Sequence, residues 1–134
     1  MTAKIVKIPY IASNSSNGIA IVKYLKSQPV EIEISINDKQ YVNNDCNDLY
    51  ESLRRIRNQL EQDGIKLMCN GAARNVRPSA MQRDMSAGEL AYWLVEGQKK
   101  PSVVNIFEGN MDIDYASGEE QEVFYKEIWK KSLI

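Results

Sequence analysis

The chain contains no histidine. That absence removes Ser-His-Asp and Cys-His catalytic arrangements, histidine-bearing zinc sites and any histidine-based pH switch. Cysteine is nearly absent too. Cys46 and Cys69 are the two thiols in 134 residues, too few for a disulfide framework or a zinc site, and both are expected to be reduced in a cytoplasmic setting. No apolar run approaches the roughly 18 residues that a membrane span needs, and Met1 to Tyr10 lacks the apolar core of a signal peptide. Charge of one sign is not in excess either. The 17 Lys and Arg face 18 Asp and Glu, for a net charge of -1, which excludes a basic coat built for direct nucleic-acid binding. Internal repeats, long linkers and low-complexity segments are also missing.

What is present is an ordinary globular balance, 43% hydrophobic and 26% charged. A chain of this size buries about two-thirds of its unfolded surface, so residues 1–134 are expected to form one domain around one core. Lys4 to Ile8 alternates as a strand does. Asn14 to Gly18 is a turn cluster, and Ile19 to Leu25 reads as a strand or a short helix. Val30 to Ile36 is the clearest strand, with Val30, Ile32, Ile34 and Ile36 on one face and Glu31, Glu33 and Ser35 on the other. Asn37-Asp38 is a turn leading into Gln40-Tyr41-Val42. Leu49, Leu53, Ile56 and Leu60 make a helical stripe, capped by Asp45 or Asn47 and ended by Gly64. Ile65 to Cys69 then reads as a buried strand.

Asn70 to Met85 reads as a loop without periodicity. Ser86-Ala87-Gly88-Glu89 has the pattern of a capping box and predicts a helix through Leu90, Ala91, Trp93 and Leu94. Ser102 to Phe107 predicts a strand. Ser117-Gly118-Glu119-Glu120 predicts a second capped helix, with Val123, Phe124, Ile128 and Trp129 on its apolar side. The expected fold is α+β or α/β: a single mixed sheet of about five to six strands, partly parallel in its second half, with three helices packed on it.

Two stretches could carry recognition. The first is an arginine-rich loop holding Asn70, Arg74, Asn75, Arg77, Ser79 and Arg83. Guanidinium forks there could grip a carboxylate or phosphate bidentately, or could order the loop, with Asp84 beside Arg83. The second lies between Pro101 and Tyr125, where Glu108, Asp112, Asp114, Glu119, Glu120 and Glu122 occur with no Lys or Arg among them. That run reads as a solvated face, or as a patch that docks on a basic partner with Tyr115 as an aromatic anchor. Asp112-x-Asp114 alone lacks the oxygens of a calcium loop. Trp93, Phe107, Phe124 and Trp129 fall at positions that predict core packing.

The run Ile56-Arg57, Leu60-Glu61, Gly64, Cys69-Asn70-Gly71-Ala72, Asn75-Val76, Pro78-Ser79, Met81, Arg83-Asp84-Met85, Gly88 and Ala91-Tyr92 resembles a largely uncharacterised family of small bacterial proteins. Those chains carry a similar Gly-Ala-x-x-Asn-Val-x-Pro-Ser-x-Met-x-Arg-Asp-Met core. The likeness covers roughly Leu49 to Phe107 and implies a cytoplasmic bacterial protein without supplying an activity. By type, the chain also resembles the immunity proteins of polymorphic-toxin and contact-dependent inhibition systems. The functional expectation is therefore a protein-binding antitoxin that covers the active site of a cognate toxin, such as a basic nuclease domain, with its acidic surface. It would need no catalytic residue, cofactor, metal or membrane. The alternative is a binder of, or enzyme acting on, a small anion held by Arg74, Arg77 and Arg83.

Overall fold

Alternation in the first third of the chain builds the larger sheet. In the computed structural model, which describes residues 2–14 and 16–133, β1 (Lys4–Ala12), β2 (Gly18–Leu25), β3 (Val30–Ile36) and β4 (Lys39–Cys46) form an antiparallel meander. Successive side chains point to opposite faces. Ile8, Tyr10, Ala20, Val22, Tyr24, Val30, Ile32, Ile34 and Ile36 are buried on the inner face. Ile19 to Leu25, readable at two spacings, is strand. Asn37 turns the β3–β4 hairpin with a φ of 54°, a left-handed position that asparagine tolerates better than most residues.

Helix α1 (Leu49–Gln62) crosses the inner face and buries Leu49, Leu53, Ile56 and Leu60 on it. Its cap is Asp48 rather than Asp45 or Asn47: the Asp48 carboxylate accepts from the Glu51 amide at 2.9 Å. Gly64 leaves the helix with a φ of 74°, the left-handed geometry that ends helices most cheaply at glycine. β5 (Ile65–Leu67) then joins the far edge, antiparallel to β1, giving the order β4-β3-β2-β1-β5.

The second half departs from the expected alternation of helix and strand. A short 3-10 turn (Asn70–Ala72) precedes β6 (Val76–Arg77) and helix α2 (Ala80–Met85). Both β6 and α2 lie in the stretch that reads as a loop. Ser79 caps α2 in a reciprocal box with Gln82. The residues expected to open a helix at Ser86 instead close this one. The Ser86 hydroxyl donates to the Gln82 carbonyl at 2.6 Å, and Ala87 and Gly88 turn the chain at φ 53° and 76°. Leu90–Trp93 is consequently a strand, β7, between β6 and β8 (Ser102–Asn105) in a separate three-stranded sheet. Strands thus fall into two sheets, and every described strand pair is antiparallel, not partly parallel.

The Ser117 capping box forms as expected and starts α3 (Gly118–Val123). Beyond it the helix widens to π-type bonding over Phe124–Trp129 and ends in an α-turn, Lys130–Ser132. Its apolar side is not buried: Val123 and Ile128 are exposed, and Phe124 and Trp129 are half-buried. Phe107 does enter the core, stacked on Tyr24 with ring centroids 4.0 Å apart. The architecture is mixed α+β with three helical elements. Among the described residues, no helix is long and apolar enough to cross a membrane.

Candidate functional site

The acidic stretch is held on a backbone frame. Residues 106–116 leave and rejoin the segment 68–74, bonding to it at both ends. The Asn70 and Gly71 amides donate to the Glu108 and Ile106 carbonyls, each at 2.9 Å. Farther along, the Arg74 amide donates to the Asp114 carbonyl at 2.8 Å and the Ala116 amide to the Ala72 carbonyl at 3.0 Å. Asn70 pins the middle: its amide nitrogen donates to the Asn105 carbonyl at 3.2 Å, and its oxygen accepts from the Asn110 side chain at 2.9 Å. Buried Ile113 anchors the tip.

This frame leaves Glu108, Asp112 and Asp114 exposed, and the first turn of α3 adds exposed Glu119 and Glu120. Tyr115 is half-buried and not a free anchor. Its hydroxyl donates to Glu61 at 2.5 Å, and its ring lies 5.4 Å from both the Arg57 guanidinium and the Lys66 ammonium. Burial pushes its pKa up, and the Glu61 hydrogen bond adds to the rise.

The arginine loop folds onto these same acids. Arg74 bonds Asp114 at 2.9 Å and Glu120 at 3.4 Å. Arg77 bonds Glu122 at 2.5 Å and lies 4.0 Å above the Tyr125 ring. Arg83 bonds Asp48 at 3.0 Å, not the neighbouring Asp84, which is exposed. The polar residues around them hold structure: Asn75 donates to the Leu94 carbonyl at 3.0 Å, and Ser79 caps α2. Arg77 holds the Glu122 carboxyl below the usual range, and the Ser117 backbone amide, then Arg74, do the same for Glu120. Arg74 and Arg77 thus join the two candidate stretches in one set of ion pairs, with exposed carboxylates left on its outer side, while Arg83 pairs with Asp48 outside it.

Three buried polar residues carry no obvious sequence signal of function yet organise this region. Arg57, 1% exposed, lies within the apolar stripe of α1. It donates to the Ala116 carbonyl at 2.7 Å and to the Gln121 side chain at 2.8 Å. Gln121 in turn donates to the Gly71 and Ala73 carbonyls at 2.9 and 2.7 Å. Both arms of the acidic frame and the start of α3 therefore converge on one guanidinium. Glu89, 4% exposed, joins the two sheets. Lys26 and Lys4 reach it at 2.5 and 3.1 Å, and the Tyr24 hydroxyl donates to it. Burial alone would raise its pKa, but these three partners outweigh that and hold the carboxyl at about 2. The position of Arg57, four residues after Leu53 and three before Leu60, is a cation inside an apolar stripe and is the one sequence clue to this network.

Chemically, the arrangement is suited to binding. Burial pushes the Cys69 thiol up to about 11 and raises the Cys46 thiol, away from nucleophile chemistry. Among the described residues, no cluster of acidic and thiol side chains is placed to hold a metal ion. No protein-family model and no curated protein matches the chain.

Proposed function

We propose that this chain is a cytoplasmic bacterial immunity protein that neutralises a cognate toxin by laying its acidic strip over the toxin's basic active-site cleft. A nuclease domain, whose phosphate-binding cleft is positive, is the partner chemistry that fits. The observation that carries the reading is the backbone frame under Glu108, Asp112 and Asp114. It presents carboxylates from a fixed platform, so little ordering cost falls on association. Opposite charge then speeds encounter and selects the partner. The small-anion alternative would need Arg74, Arg77 and Arg83 to leave Asp114, Glu120, Glu122 and Asp48.

The test begins with the tagged chain purified from a bacterium that encodes it, and with a partner recovered near one-to-one. Asp112 and Glu119 have no ion pair among the described residues, so reversing them leaves the internal lattice intact. Asp112→Lys with Glu119→Lys should slow association about tenfold or more at low salt, with a smaller effect on dissociation. An unchanged association rate would remove the acidic strip from recognition.

A further inference from the structure

We infer that the uncovered face of the five-stranded sheet is a dimer interface that receives a second copy of this chain. Helix α1 covers one face of that sheet. On the other, Ile5, Ile19 and Val42 are 67%, 56% and 52% exposed, and Ile21 stands out beside them. Ile5, Ile19 and Ile21 stand together on β1 and β2, and Val42 stands apart on β4; exposed branched side chains on an open face point to an interaction surface. The same face carries Lys7, Lys23, Glu31 and Glu33, and none of the four has an ion-pair partner among the described residues. The arginine loop and the Glu89 cluster, by contrast, pair their charges closely.

The register identifies the occupant. Ile5 lies opposite Lys23, Lys23 opposite Glu33, and Glu33 opposite Val42. Read across four strands, this row is apolar, basic, acidic, apolar. A two-fold axis parallel to the strands, passing between β2 and β3, reverses the row onto itself. Glu33 then faces Lys23 of the second copy, and Val42 faces Ile5 of the second copy. The neighbouring row, Lys7, Ile21, Ser35 and Gln40, reverses without bringing like charges together. A groove of about 270 Å³ lined by Lys23, Leu25, Glu31, Glu33 and Val42 lies along the first row, where the protruding Ile5 of the other copy enters. A surface complementary to itself about a two-fold axis is what an isologous dimer requires, and aligned packing of two sheets is a standard geometry.

Sedimentation of the intact chain should show a monomer–dimer equilibrium. Ile5→Glu should raise the dimer dissociation constant by about 30-fold or more and leave thermal unfolding nearly unchanged at concentrations where both proteins are monomers, because Ile5 is exposed in the monomer. Lys23→Glu should weaken the dimer, and Lys23→Glu with Glu33→Lys should restore it. Ile5→Cys with Val42→Cys tests the register. Within one chain these positions are three strand spacings apart, about 14 Å, beyond a disulfide's reach. Mild oxidation should therefore give a covalent dimer, and either single cysteine variant should not. A monomer at every concentration, or a dimer indifferent to Ile5→Glu, would overturn the proposal. A non-covalent dimer that the paired cysteines fail to lock would overturn its register.

Discussion

Residues 4–67 and residues 69–133 share one core but are held in different ways. The first segment is an amphipathic sheet closed by an amphipathic helix, and large side chains such as Ile8, Ile32, Ile34, Leu53 and Leu60 are fully buried between them. The second contributes fewer large apolar side chains, Val76, Leu94, Ile106, Phe107 and Ile113, and buries small residues beside them, among them Ala72, Ala73, Ala91 and Ala116. Its C-terminal helix places a glutamine, not an apolar side chain, in the interior. Hydrogen bonds and ion pairs do in the second segment what apolar area does in the first. Apolar burial is non-directional and tolerates small shifts. A buried polar network is directional, and the one around Arg57 and Gln121 holds the acidic strip in one geometry.

The largest effect should come from the apolar segment. Ile34→Ala, at the centre of the sheet, removes fully buried methyl groups and should cost about 2–5 kcal/mol, read as an early but still cooperative unfolding transition. A loss under 1 kcal/mol would break the comparison, because the first segment would not depend on its packing.

Glu89 should show the contrasting, pH-dependent behaviour. Its folded pKa of about 2 lies below its ordinary value of 4.5. The stability it supplies is complete above about pH 4.5 and is lost as pH falls towards 2, about 3 kcal/mol in all. Glu89→Gln should lower stability at neutral pH and flatten the acid limb of the stability–pH curve across that window. Identical acid limbs in the two proteins would show that the carboxylate is not held ionised by Lys4, Lys26 and Tyr24. A smaller effect, about 1 kcal/mol, is expected for Ser79→Ala, which removes the α2 cap and should appear as lost helix at residues 80–85 with the large sheet unaltered.

The same contrast explains what the sequence made legible. Period-two alternation identified β1 and β3 and left β2 open between strand and short helix, and three- and four-residue spacing identified α1, because those elements are shaped by burying one face. The second half yields little to such patterns. Ser86 to Glu89 and Ser117 to Glu120 have the same Ser-x-x-Glu spacing, yet only the second caps a helix. Glu89 does not turn back to Ser86 because its carboxylate is taken by Lys4, Lys26 and Tyr24, residues more than 60 positions away. Likewise, the arginine loop and the acidic stretch were each visible as charge. That Arg74 would neutralise Asp114 and Glu120, and Arg77 Glu122, depends on a tertiary approach that no local pattern encodes. Arg57 stands out as a cation in an apolar stripe, but its partners were hidden for the same reason: Ala116 and Gln121 lie 59 and 64 residues further along the chain.

The central claim is that the Arg57–Gln121 network fixes the acidic strip. Amide hydrogen exchange in Gln121→Leu tests it most directly, since that variant leaves Arg57 and the Gly71 and Ala73 carbonyls short of a partner. The account predicts faster exchange at Gly71, Arg74, Ala116 and the amides of α3, consistent with a local loss of about 1–3 kcal/mol, while the amides of β1–β4 keep their protection. Unchanged protection at Arg74 and Ala116, or an equal loss throughout the large sheet, would contradict it.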